Sequence, residues 1–177
     1  MKNIKNVIFP TFALTLICAI LGAALSLTNN LTKDTIAQQQ EEKKKAAFQV
    51  ALPATDYEFM SEKNGCTMYA AHQGLHVGYV VSSSANGYGG KIEVMVGLDL
   101  SGKIYNIEIV SCSDETAGIG QKVQDEKFRR SFNDKTKQEI DSVDVITGAT
   151  ISSNAVKEAV KTAIEFYESE VDGNELA

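Results

Sequence analysis

Val7 to Leu27 is a run of twenty-one residues without a charge, in which only Pro10, Thr11, Thr15, Cys18, Gly22 and Ser26 lie outside the strongly apolar set. A helix of about 20 such residues crosses the hydrocarbon of a bilayer. The rival reading is a cleaved signal peptide, for which Ala24-Leu25-Ser26 would serve as the cut site. The apolar core of a signal peptide usually spans only ~7–15 residues, so we read the run as a retained anchor. Bulky Ile17 ahead of Cys18 argues against lipoprotein processing. Lys2, Lys5 and the terminal amine lie on the short side, which puts that side in the cytoplasm and the rest of the chain outside. Lys33 and Lys43, Lys44 and Lys45 weaken this orientation without reversing it.

The remainder of the 177 residues is long enough for one domain with its own core. All 23 acidic residues follow the anchor while Lys2 and Lys5 precede it, so the outer part is more acidic than the whole chain at −6. Such a surface excludes nucleic acid as a partner, because phosphates need a basic face. Cys66 and Cys112 can pair or stay free, and no C-x-x-C is present. His72 and His76 read as strand residues, so no metal site is expected.

Composition divides the chain into an N-terminus and anchor (1–28), a polar helical stalk (29–53), a domain (54–172) and a tail (173–177). The stalk is rich in Gln, Glu and Lys, free of Gly and Pro until Pro53, and favours helix. From Cys66 the apolar period becomes two. Residues 66–72 and 75–82 read as strands around Gln73-Gly74. Ile92, Val94, Val96 and Leu98 then alternate with Lys91, Glu93 and Asp99, and Tyr105, Ile107 and Ile109 return after Ser101-Gly102, which is a hairpin pattern. Residues 123–132 have a short helical spacing. Val156, Ala159, Val160, Ala163, Ile164 and Tyr167 mark one apolar stripe of a final helix. The fold class is α+β: an antiparallel sheet with a C-terminal helix behind a single membrane helix.

Three polar, Gly-containing segments interrupt this framework: Ser82 to Gly90, Ser113 to Lys122, and Asp144 to Ser153. Glycine permits φ > 0 and close approach of a ligand, and strand-end loops commonly carry binding residues. Neither a dinucleotide fingerprint nor a nucleotide-hydrolysing loop is present. In the third segment Thr147, Gly148, Ala149, Thr150, Ser152 and Ser153 stand just ahead of the final helix. Capping by Ser152 or Ser153 accounts for one or two hydroxyls and leaves Thr147 and Thr150 unexplained. A phosphate tethered through Thr150 would face the positive end of the helix.

T-G-A-T-I-S, with Asp144 three residues before Thr147, resembles the flavinylation motif D-x-x-[ST]-G-A-T-x-[ST]. That motif belongs to the covalent FMN-binding domains of Rnf-type electron transport complexes and Na⁺-translocating NADH:quinone reductases. The anchor, the G-Y-G-G-K-I run at Gly87 to Ile92, and E-T-A-G-I-G at Glu115 to Gly120 followed by Lys122 resemble, in that order, the G subunit of the Rnf complex. Ala117 stands where that family usually has Pro, which loosens the loop without removing a side-chain donor.

The resemblance implies FMN joined through its phosphate to Thr150 by a flavin transferase, which uses FAD and a divalent metal and releases AMP. It implies Asp144 as a recognition residue for that transferase. It also implies a flavin site lined by Tyr88, Gly89, Gly90, Glu115, Thr116, Gly118, Gly120, Thr147, Gly148, Ala149 and Ser152, with Lys122 nearby. Tyr105 and Phe128 are read as core. The chain would then be an electron carrier among the subunits of a membrane complex that couples ferredoxin and NAD⁺ to Na⁺ or H⁺ transport, with no active site of its own. The C subunit of a quinone reductase, a stand-alone flavinylated carrier, and a non-redox binding or assembly module are the alternatives.

Overall fold

The computed structural model describes residues 2–174. They divide into two units between Glu42 and Lys43. Helix α1 runs from Lys2 to Ala51, and its part up to Glu42 forms the first unit. Within it Ile8–Lys33, 26 residues whose most apolar stretch has mean hydropathy 2.3, is long and apolar enough to cross a bilayer. Its large side chains, Phe9 and Leu25 among them, are exposed, and none of that window is buried.

The second unit is built on five antiparallel strands in sequential order. These are β1 (Asp56–Lys63), β2 (Cys66–Gln73), β3 (Leu75–Asn86), β4 (Lys91–Asp99) and β5 (Ile104–Ser111). A 3₁₀ turn (Gly120–Gln124), the short helix α2 (Glu126–Arg130), a second 3₁₀ turn (Lys137–Ser142) and the long helix α3 (Thr150–Asn174) follow. The expected anchor, antiparallel sheet and terminal helix are all present.

Helix α3 lies on one face of the sheet. Its stripe of Val156, Ala159, Val160, Ala163, Ile164 and Tyr167 is buried together with Ile92, Val94, Val96 and Leu98 of β4. Each fully buried aliphatic side chain of this kind contributes about 1.5–3 kcal/mol. The Ser83 hydroxyl donates to the Ala159 carbonyl at 2.7 Å and ties β3 to the middle of the helix.

The opposite face is not left to solvent. The end of α1, residues 43–51, belongs to this unit and packs Ala47 and Ala51 with Leu52 against Ala71, Val80 and Met95. Composition assigns these residues to the stalk, whereas the structure folds them into the domain. Gly97 makes the approach possible, since a Cβ there would lie 2.0 Å from the Ala51 carbonyl oxygen. Lys44 pairs with Glu93 at 3.0 Å along the same contact.

Several local expectations are corrected. Strand β1 has no counterpart in the period-two reading; it is an edge strand whose residues are mostly exposed, so it lacks an apolar alternation. Ser82 to Asn86 belong to β3 and not to a loop, and only Gly87 to Gly90 turn, with the Gly87 N–H on the Gly90 carbonyl at 2.7 Å. Tyr105 is half-exposed and not core. Leu98 pairs with Ile104 while Gly97 pairs with Asn106, so the extra residue rotates Tyr105 outward and puts Ile104 inside. Phe128 is buried as expected, edge-on to Phe132 at 5.3 Å. Cys66 and Cys112 are both free and buried, and burial raises each thiol above its ordinary pKa.

Replacing Gly97 by Val should force the end of α1 off the sheet. We expect a loss of about 1–3 kcal/mol of domain stability, measured by urea or thermal unfolding. An unchanged melting temperature would show that this helix end is not packed on β4.

Candidate functional site

The three polar segments meet at one end of the sheet. A cavity of about 460 Å³ opens there, lined by Tyr88, Glu115, Thr116, Ile119, Gly120, Gly148, Ala149, Thr150, Ile151 and Ser152. That volume lies within the range of small-molecule sites, roughly 300–1,000 Å³. Eight of these ten residues were expected from the sequence. Ile119 and Ile151 were not, yet both are exposed apolar side chains, 48% and 54%, on the cavity wall. The signal that could have found them is their position, each beside a residue already singled out.

The floor of the site is assembled by one carboxylate. Glu115 is only 4% exposed, although it follows a strand end in a polar loop. The Ser152 hydroxyl donates to its Oε2 and the Gly89 N–H to its Oε1 at 3.0 Å. Backbone N–H groups of Gly90 and Tyr88 add to this. One side chain therefore joins the turn after β3, the loop after β5 and the first turn of α3.

Glycine is required where that carboxylate packs. A Cβ at Gly87 would lie 2.2 Å from Glu115 Oε1, and one at Gly120 would lie 2.7 Å from Oε2. Gly89 and Gly90 lie outside the cavity wall but pack on Asp114, where a Cβ would also collide.

Helix α3 opens the site from the other side. It starts at Thr150, earlier than expected, and neither serine caps it. The Ser152 hydroxyl is committed to Glu115, and Ser153 Oγ accepts from the Ile146 N–H at 3.1 Å. Ala149, at the cap position, has no side-chain acceptor. Among the described residues, the N–H groups of Thr150, Ile151 and Ser152 have no acceptor. These are the orphan donors every helix start leaves, here on a cavity wall. Gly148, at φ +83°, turns the chain into the helix. Thr150 is exposed, with its side chain on the cavity.

The remaining expected residues fall outside the wall. Thr147 and Lys122 are exposed beside it, and Gly118, at φ +73°, shapes the turn in which the Ile119 and Gln121 N–H groups reach the Thr116 carbonyl. Asp144 lies in a second cavity of about 550 Å³, with Phe128, Val143 and Ile146.

Burial pushes the Glu115 pKa up, but the hydrogen bonds from Ser152, Gly89, Gly90 and Tyr88 outweigh it, so the carboxyl ionises below its ordinary value. The folded pKa is thus lower than the unfolded one, about 4.3. Its stabilising contribution is complete above that pH and is lost as pH falls through the folded value. Melting temperatures of the wild type and Glu115→Gln should differ most near neutral pH and converge as pH falls through the folded pKa. A gap that widens on acidification would contradict this assignment.

Residues 87–165 match the model of the FMN-binding domain, and residues 1–50 match that of the RnfG N-terminal region. The chain is 33% identical over 174 residues to the G subunit of the proton-translocating ferredoxin:NAD(+) oxidoreductase complex of Clostridium ljungdahlii, covering 93% of each. It is 31% identical to the G subunit of the Na(+)-translocating ferredoxin:NAD(+) oxidoreductase complex of Acetobacterium woodii, over 86% of this chain and 87% of that one. Its fold is like that of the C subunit of the Na(+)-translocating NADH-quinone reductase of Parabacteroides distasonis, with TM-score 0.58 and 16% identity over 73% of this chain and 92% of that one. The apolar helix and these relatives make it a membrane-anchored protein whose folded domain binds FMN. The chain belongs to the RnfG family, the G subunits of ion-translocating ferredoxin:NAD⁺ oxidoreductase complexes.

Proposed function

We propose that the chain is the flavin-carrying electron-transfer subunit of such a complex, with FMN joined through its phosphate to Oγ1 of Thr150. The observation that carries this reading is an exposed hydroxyl at the first position of α3, on the wall of a cavity where three N–H groups have no acceptor. A phosphodiester on that oxygen would carry about one negative charge and accept from those groups. The interaction with the helix end contributes ~0.3–1 kcal/mol, and up to ~2 where partly buried. Tyr88, Ile119 and Ile151 supply apolar surface for the ring system, and the absence of side chains at Gly120 and Gly148 leaves room beside it.

Attachment needs a flavin transferase. The Oγ1–phosphorus bond forms as the pyrophosphate bond of FAD breaks, AMP leaves, and the hydroxyl proton is released. Exposed Gly148 gives the transferase access, and Asp144, exposed in the second cavity, is its recognition residue. FMN supplies reversible one- and two-electron transfer; the residues of this chain hold and orient it. The tether removes any dependence on free-flavin affinity for a domain placed outside the cytoplasm, with the N-terminus inside. Its partners are the other subunits of the complex, between which it passes electrons as reduced ferredoxin and NAD⁺ exchange them and Na⁺ or H⁺ moves.

Protein made in its native host, run on a denaturing gel under ultraviolet light, should fluoresce at its own position. Thr150→Ala should be dark while retaining the wild-type circular dichroism. A fluorescent Thr150→Ala band would place the linkage on another residue. Production without the transferase should also give a dark band.

A further inference from the structure

Among the described residues, Glu115 is the one charged side chain buried as deeply as the core. It has no ion-pair partner there, and its hydrogen bonds come from the neutral Ser152 hydroxyl and backbone N–H groups. Neutral donors stabilise a carboxylate without cancelling its field at a distance, as a paired Lys or Arg would. Both carboxylate oxygens are used by these donors, and the ionised group leaves a full negative charge in the wall of the cavity. We propose that Glu115 is a positioning residue that also sets the reduction potential of the flavin, by keeping an unpaired negative charge in the cavity wall.

The proposal rests on the cavity being the flavin site. Each electron taken up there without a proton adds a negative charge, and a like charge in a wall of low dielectric opposes it. The electrons arrive from the preceding carrier of the complex and leave to the next. Glu115 exchanges neither electron nor proton and makes no covalent bond. The donors that hold its ionisation below the usual range keep the charge in place at any physiological pH. The charge therefore lowers the potential, and the Ser152 hydroxyl, whose proton faces the carboxylate, moderates that effect.

The test is a reductive titration with dithionite and mediators, followed by flavin absorbance, on the full chain produced with its transferase. Glu115→Gln keeps one of the two acceptor oxygens and removes the charge, so its midpoint should move positive. Ser152→Ala keeps the charge and removes a donor, so its midpoint should move negative. Loosening of the structure alone gives no such opposite pair. If Glu115→Gln does not load flavin, Ser152→Ala carries the test by itself, and a midpoint unmoved or shifted positive overturns the proposal. Flavin-loaded wild type with an unmoved Glu115→Gln midpoint also overturns it, and leaves the function assigned above intact. A wild type without flavin would remove both.

Discussion

The bond between the buried Glu115 carboxylate and the Ser152 hydroxyl holds the site together, because it joins segments that are thirty-seven residues apart in sequence. A buried carboxylate is tolerated only when its lone pairs are met, and here they are met by groups from the turn after β3 and the first turn of α3. The glycines around it follow from the same demand. At Gly87 and Gly120 any side chain would occupy the space of the carboxylate oxygens. Two of the loop glycines, Gly87 and Gly120, are thus there to let one acid be buried.

The sheet supplies the rigid platform. Helix α3 covers one face and the end of α1 the other, so β4 is buried on both sides, with Ile92, Val94, Val96 and Leu98 toward α3 and Met95 toward α1. Loops at the end of such a strand are fixed by the packing of the whole domain. The start of α3 is fixed as well, because Ser83 bonds to Ala159 midway along it. What remains free at the helix start is chemical: three N–H groups and one hydroxyl.

That freedom is a consequence of local composition. A Ser or Asp at position 149 would cap the helix and contribute about 0.5–2 kcal/mol. Ala149 leaves the donors open, while both serines that follow are turned to other tasks. The domain thus forgoes some stability at the place proposed to hold its cofactor, a common relation between function and local stability.

Sequence alone determined the anchor, the β4–β5 hairpin, the stripe of α3, and the three segments that meet at the cavity, because each is written as a local period or a contiguous motif. It also held a signal that the period-two reading passed over. Asn64-Gly65, both at positive φ, is the turn that returns β1 to β2. Only the tertiary structure decided that Glu115 is buried, that Ser152 bonds to it instead of capping α3, and that residues 43–51 pack on the sheet. Only there do the bulge that turns Tyr105 outward and the cavity that leaves Lys122 and Thr147 outside become visible. The reason is physical. Periodicity reports which face of an element is apolar, whereas the partner of a buried polar atom depends on groups brought together from distant parts of the chain.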